Sequence, residues 1–316
     1  MPPSSPRARL SIIRNLIAPS SSSSTSRAMT SMAHQVPSNP CTPAPWRDSF
    51  LKHVSSMKTP TFVLSTLQPV PKDEAPSASL RVVPRARTCI YRGLWTELPE
   101  NKHNTAPRNP SGFESDLPTL TTDARMGKAG EVIDTAGEIS AGKTGGGGPV
   151  EAVYWIEEYG TQWRIRGSAW ILGPDVEQEE GRRTREVISS RMRKNGVGPV
   201  SADAEDFSWK KEITAHFGNL APGMRGTFRG PPPGEPITLP IEEGYELGQQ
   251  VDDLEDEKAR ANFRVMVIVP EEVDQVDYSD PSKPRRWLYT YRGKGWQAHH
   301  SGGEIIGEWE KVEVYP

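Results

Sequence analysis

The sequence predicts a mainly β protein: a small antiparallel sheet or barrel with a few peripheral α-helices. Three observations predict it. Segments rich in Val, Ile, Thr and aromatic residues recur along the chain and stop at proline- or glycine-bearing turns. Two of them are separated only by Glu158, Tyr159, Gly160 and Thr161, which is hairpin spacing. Helical patterns are few and do not alternate with the strands, which disfavours a doubly wound parallel sheet.

Residues 45–54 place Trp46, Phe50, Leu51 and Val54 at helical spacing, so a short amphipathic helix opens the domain. Residues 61–67 are β-branched and aromatic, then stopped by Pro69: a strand. A second strand covers 87–95, and a short third covers 116–122. Residues 150–157 and 162–172 form the hairpin. Strands at 263–269, 275–278, 286–292 and 309–314 bring the total to about nine. Helices are expected at 129–133, at 182–194 and around 204–217. Three biased segments, 134–149, 195–204 and 241–257, read as flexible insertions. The last holds eight acidic residues and no basic one, the pattern of a solvated loop.

Composition narrows the function. Only 34% of the 316 residues are hydrophobic, beside 30 prolines and 28 glycines, so an ordinary core is diluted by long polar loops. No run of about 18 apolar residues occurs, so no transmembrane helix is expected. The formal charge of −3 suggests no polyanion-binding surface, and neither nucleic acid nor membrane is expected as a partner. Two cysteines, Cys41 and Cys89, exclude a disulfide framework and a cysteine-based zinc or iron–sulfur site. His299 and His300 read as surface or structural residues, and no metal site is expected. No Ser/His/Asp set is visible, so no catalytic residue is assigned.

Residues 1–47 hold five arginines, a five-serine run and no Asp or Glu. That is the composition of a mitochondrial transit peptide. A disordered tail, or a start displaced to Met29 or Met32, fits it too. Segment 1–44 is therefore set apart from a domain at 45–316. The expected location is cytoplasmic, or mitochondrial if the transit peptide is genuine.

Gly137 to Thr144 fits G-x-x-x-x-G-K-[ST], but four glycines and a proline follow at once. Each glycine costs a helix ~1 kcal/mol relative to alanine. The helix that a phosphate-cradling loop must lead into is thus not expected, and nucleotide triphosphate binding is not either.

The informative constellation lies elsewhere. Along a strand, Arg87, Cys89 and Tyr91 face one side, and Thr88, Ile90 and Arg92 the other. Downstream, Thr121, Thr122, Arg125 and Lys128 fall where a strand ends and a helix starts. Hydroxyls, two cations and a helix N-terminus in one place suit a phosphate. Gln162, Arg164 and Arg166 begin a further strand.

At these residues the chain resembles the pyridoxamine 5′-phosphate oxidase-like flavoproteins, in the branch with an FMN-binding domain related to that oxidase. The family strand R-x-V-L-x-K is answered by Arg87 to Arg92, with arginine in the lysine place. T-N-x-x-S-R-K is answered by Thr122 to Lys128, where Gly127 loses the arginine and Arg125 stands nearby. R-Q-V-R-x-x-G is answered by Thr161 to Gly167, with Gln162 in a flavin-contacting place. Near the C-terminus, Arg286 falls on a flavin-contacting arginine and Trp296 on the family's tryptophan. The resemblance implies an FMN-binding split β-barrel, a homodimer with FMN at the interface, and an FMN-dependent oxidoreductase acting on a small-molecule redox substrate. It implies FMN contacts from Arg87, Thr88, Arg92, Thr121, Thr122, Arg125, Lys128, Gln162 and Arg286. The oxidases read their substrate with R-x-H just before that last arginine; here Ser282, Lys283 and Pro284 stand there. A flavin-binding or sensing protein without turnover is the alternative.

Overall fold

A computed structural model of the chain describes residues 42–70, 82–136 and 143–316. The transit peptide or tail expected at 1–44 lies outside these residues as far as position 41. Ala44 already belongs to the packed domain: it is buried, and its N–H donates to Asp116 at 2.9 Å.

The opening helix α1 (Arg47–Ser56) follows, with Phe50 and Val54 buried as their spacing requires. Strand β1 (Thr61–Pro69) alternates buried and exposed positions, one face in the core. It pairs with β2 (Val82–Ile90), which begins earlier and ends earlier than the 87–95 expected. Short β3 (Phe113–Ser115) and then β4 (Thr119–Asp123) precede helix α2 (Gly127–Asp134). Strands β5 (Gly145–Ile156) and β6 (Thr161–Leu172) make the expected hairpin. Helix α3 (Arg182–Ser189) stops short, and 192–194, expected to be helical, form β7 (Met192–Lys194) against β3. Helices α4 (Trp209–Gly218), α5 (Pro222–Gly226) and α6 (Glu257–Asn262) lead into β8 (Phe263–Asp277). Strands β9 (Arg285–Tyr291), β10 (Glu304–Ile306) and β11 (Trp309–Val314) complete the chain.

Two of the expected insertions are corrected or refined. Gly145 to Pro149 are not a loop: they are the start of β5, paired with 168–171 of β6 across a register shift between Gly146 and Gly148. Glycine weakens a strand but does not forbid one, and cross-strand pairing overrides propensity here. Segment 241–257 does lack helix and strand until α6, yet it is tied down, as described below. The separate strand expected at 275–278 is the far end of the single long β8.

The strands β1, β2, β4, β8, β6 and β5 close into a mainly antiparallel barrel. The closure comes from the chain just past β2. Arg92 N–H donates to Thr119 O, Thr119 N–H to Gly93 O and Trp95 N–H to Leu117 O, all at 2.8–2.9 Å. β8 pairs with β6 along most of its length but changes its other neighbour, from β4 to β9, around Pro270. Proline lacks the N–H a central ladder needs, so it fits a break in pairing. Gly167 sits at the facing bulge, where a Cβ would lie 2.0 Å from Val269 O.

Side chains fill the barrel. Phe50 enters from α1 and meets Trp46, Tyr91, Tyr154 and Trp163 edge-on, with ring centroids 5.1–5.8 Å apart. Met266 and Ile268 of β8 point into this core. Val265, Val267 and Phe263 point the other way, into a second core under α3 and α4. The mainly β class with peripheral helices is borne out.

Candidate functional site

Because a barrel this small is packed solid, a ligand must sit on its outside. The candidate FMN residues fall in three places.

Thr88, Arg92, Thr121, Thr122 and Lys128 converge on one pocket of about 320 Å³, beside the closure of β2 on β4. β2 and its continuation supply Thr88 and Arg92; β4 supplies the two other threonines; the first turn of α2 supplies Lys128. Lys128 is buried, and its Nζ donates to Thr122 Oγ1 at 3.1 Å and to Met126 Sδ at 3.0 Å. No carboxylate pairs with it among the described residues. Burial, above all, pulls its pKa below the ordinary lysine value. Arg92 is also held by no carboxylate: its Nε is buried with no hydrogen-bond partner, and burial lowers its pKa as well. The N-cap of α2, Met126, offers no side-chain cap, and the first turn holds no acidic residue. The positive end of that helix is therefore left uncompensated at the pocket.

Arg87 and Arg125 do not join them. Arg87 lies on the opposite face of β2, as strand alternation dictates, and pairs with Glu131 of α2 at 2.6 Å while donating to Thr66. Arg125 grips Asp123 through two hydrogen bonds of 2.7 and 2.9 Å. Its remaining nitrogen donates to Gly230 O at 3.0 Å. The structure does not bring these two expected phosphate ligands into the pocket with the others: each charge is paired with a carboxylate of the same chain.

Gln162 and Arg286 lie on the outer sheet face and line no part of that pocket. Arg286 borders a separate cleft of about 270 Å³, where it and Arg164 share the buried Asp274.

Sequence reasoning missed the far wall of the first pocket, built by Met224, Thr227, Phe228 and Pro233. The signal was the run Pro231-Pro232-Pro233, whose fixed φ suits a rigid wall. It also missed Cys89, which borders the pocket while its side chain packs in the barrel core, where burial pushes the thiol pKa up. Ser282, in the place of the oxidases' substrate arginine, spends its hydroxyl on Asp280 at 2.6 Å within an exposed turn.

Only the end of the apparent nucleotide loop is described. Its residues 137–142 lie outside the described ones; Lys143 N–H donates to Asp175 at 2.5 Å, and from Gly145 a strand follows instead of a helix. Among the described residues no group of His, Cys, Asp and Glu could hold a metal, and no helix is long and apolar enough to cross a membrane.

Comparison with known proteins bears on the cofactor. Residues 43–173 match the family model described as pyridoxamine 5′-phosphate oxidase, FMN-binding domain. The resemblance drawn from the motifs is thereby shown for this segment, and FMN is the cofactor of the matched domain. A search of curated proteins returned no match. Among solved structures, a pyridoxamine 5′-phosphate oxidase-related, FMN-binding protein from Nostoc punctiforme is 17% identical, with 87% of this chain and 100% of that one covered and a TM-score of 0.47. PhzG from Burkholderia lata, in complex with tetrahydrophenazine-1-carboxylic acid, is 11% identical, with 85% and 90% covered and a TM-score of 0.40.

Proposed function

We propose that this chain is an FMN-dependent oxidoreductase of the split-barrel type, acting as a homodimer with FMN between subunits. The observation that carries the reading is the pair of uncompensated cations, Arg92 and Lys128, beside Thr88, Thr121, Thr122 and the uncapped start of α2. Enclosing a buried lysine and a half-buried arginine without a bonded carboxylate is costly unless an anion completes the site. A phosphate dianion matches them in charge, and the hydroxyls give it neutral donors. Bound there, FMN supplies the electron-transfer chemistry; the chain's residues hold its phosphate and set the approach to it. Gln162 and Arg286, which face away from this pocket, are suited to meet the flavin bound by the partner subunit.

Pyridoxamine 5′-phosphate is not the substrate in this reading. Ser282 is engaged with Asp280, and Pro284 has no donor at all. A second reading, flavin binding without turnover, draws on that same loss.

The test is cofactor content and reconstitution. The purified protein is expected to be yellow, to release FMN on denaturation, and to rebind FMN in preference to FAD. FMN-loaded protein is expected to release no hydrogen peroxide from pyridoxamine 5′-phosphate. Equal affinity for FAD overturns the cofactor assignment. Turnover near the ~10 s⁻¹ median of enzymes restores the oxidase.

A further inference from the structure

The chain from 230 to 256 is neither helix nor strand, yet it is pinned at many points. Arg125 holds Gly230 O at 3.0 Å, and Asn262 Nδ2 donates to Phe228 O at 2.9 Å. Arg229 pairs with Asp256 at 2.8 Å. Lys258 lies over the Tyr245 ring at 4.5 Å, and Gln249 donates to Gly244 O and Glu246 O. Five prolines between 231 and 240 restrict the backbone further.

This pinned segment folds around a cleft of about 760 Å³, a size typical of small-molecule sites. Its walls include Pro231, Ile237, Leu239, Ile241, Tyr245 and Leu247. Four of these are large aliphatic side chains left exposed: Ile237 at 92%, Leu247 at 71%, Leu239 at 50% and Ile241 at 48%. Exposed apolar residues are ordinary when scattered; gathered round one concavity they mark a binding surface. Pro233 lines both this cleft and the phosphate pocket, so the two adjoin.

Charge decides what kind of molecule fits. Arg125 is the sole cation of the cleft wall, and Asp123 already neutralises it. Glu235 and Glu242 stand on the wall as well. Arg92 and Lys128 match one phosphate in the neighbouring pocket, and Lys258, the other cation at hand, is held behind the wall over the Tyr245 ring and donates to Glu243 O at 3.3 Å. A phosphorylated or carboxylated molecule would meet acidic groups with no free cation to offset them.

We infer that this cleft binds the protein's small-molecule substrate, and that the substrate is uncharged, largely apolar and not phosphorylated. The inference rests on the flavoprotein reading for the word substrate, but the cleft itself does not depend on FMN. Apart from Arg125, its lining comes from 231–262, outside the residues that match the FMN-domain model.

The experiment uses the neutral fluorophore N-phenyl-1-naphthylamine, with its anionic counterpart 1-anilinonaphthalene-8-sulfonate as control. FMN content is measured first and separately. Saturable enhancement by the neutral probe is expected, with emission quenched by energy transfer when FMN is bound nearby. Leu239→Asp and Ile237→Asp, both at exposed positions, are expected to weaken the probe by at least about tenfold while FMN content stays unchanged. The sulfonate is expected to bind at least about tenfold more weakly than the neutral probe. Absence of saturable binding, equal binding of the two probes, or indifference to both substitutions overturns the inference. Protein that binds the neutral probe as described but takes no FMN leaves the cleft standing and removes the flavoprotein reading instead.

Discussion

Two charged clefts on this molecule look alike in composition and differ in bookkeeping. On the outer sheet face Arg164, Arg166 and Arg286 meet Asp274 and Glu272, so every cation has its carboxylate. At the pocket between β2 and α2, Lys128 donates to a hydroxyl and a thioether, Arg92 Nε has no partner, and the Asp123 carboxylate on the wall is held by Arg125, so among the described residues no carboxylate bonds either cation. Arginine content therefore says little about where an anion goes; the missing carboxylate says more. Arg87 and Arg125 make the same point, because Glu131 and Asp123 have already claimed them.

The largest expected effect breaks the uncompensated side. Charge-assisted hydrogen bonds to phosphate are worth ~1.5–3 kcal/mol each, so Lys128→Ala should weaken FMN by roughly 10–150-fold. Titration calorimetry of apoprotein with FMN measures it. Affinity unchanged in that variant places the phosphate elsewhere.

pH sharpens the same contrast. Lys128 holds phosphate only when protonated, and burial lowers its pKa in the free protein, while a bound phosphate raises it. FMN affinity is thus fully present below the free-state pKa and is lost as pH rises through the bound-state one, by at most about tenfold per pH unit. Arginine stays charged throughout, so Lys128→Arg should flatten the alkaline limb. An alkaline limb of the same slope in that variant assigns the titration to another group.

How much of this was legible beforehand depends on which residues are asked. The hairpin, the opening helix and the buried strands follow from local pattern, and the structure has them. The alternation of β2 had already put Arg87 on the face opposite Thr88 and Arg92, so its absence from the pocket was in the sequence, overridden by the motif match. The pairing of Arg125 with Asp123, two residues away, was just as close at hand. The closure of Arg92 and Gly93 onto Thr119, the strand made by Gly145 to Pro149, and the wall formed by Met224 and Phe228 were not. Each depends on partners far along the chain, which no local window contains.

A smaller effect is expected on the compensated side. Asp274 keeps Arg164 when Arg286 is removed, so Arg286→Ala leaves no buried carboxylate unpaired. Half-exposed ion pairs contribute ~0–1 kcal/mol, so the folding free energy from urea denaturation should fall by no more than about 1 kcal/mol. If Arg286 reaches the flavin of the partner subunit, FMN affinity falls too, but by less than about tenfold, since Asp274 competes for the guanidinium. A loss equal to that of Lys128→Ala would erase the distinction between the clefts.

The smallest expected effect is none, and it concerns the one segment whose sequence spells a phosphate site outright. A nucleotide cradle needs backbone N–H groups turned toward the phosphates and a helix starting behind them. Here the N–H of Lys143 is taken by Asp175 at 2.5 Å, and the hydroxyl of Thr144 donates to the same carboxylate at 2.6 Å. A carboxylate thus occupies both of these donors, and a phosphate would compete with it as a like charge. The accepting hydrogen bonds hold the Asp175 pKa below its ordinary value despite the opposing pull of burial, so it stays charged across the neutral range. Behind it Gly145 enters β5, whose glycines pair with β6 and cannot also open a helix. Lys143→Ala should therefore leave FMN content, FMN affinity and urea stability unchanged, and the unaltered protein should show no saturable magnesium-dependent binding of ATP by calorimetry. Such binding, lost on substitution of Lys143, would mean that Asp175 yields its donors to a nucleotide and that a missing carboxylate is not what marks an anion site in this protein.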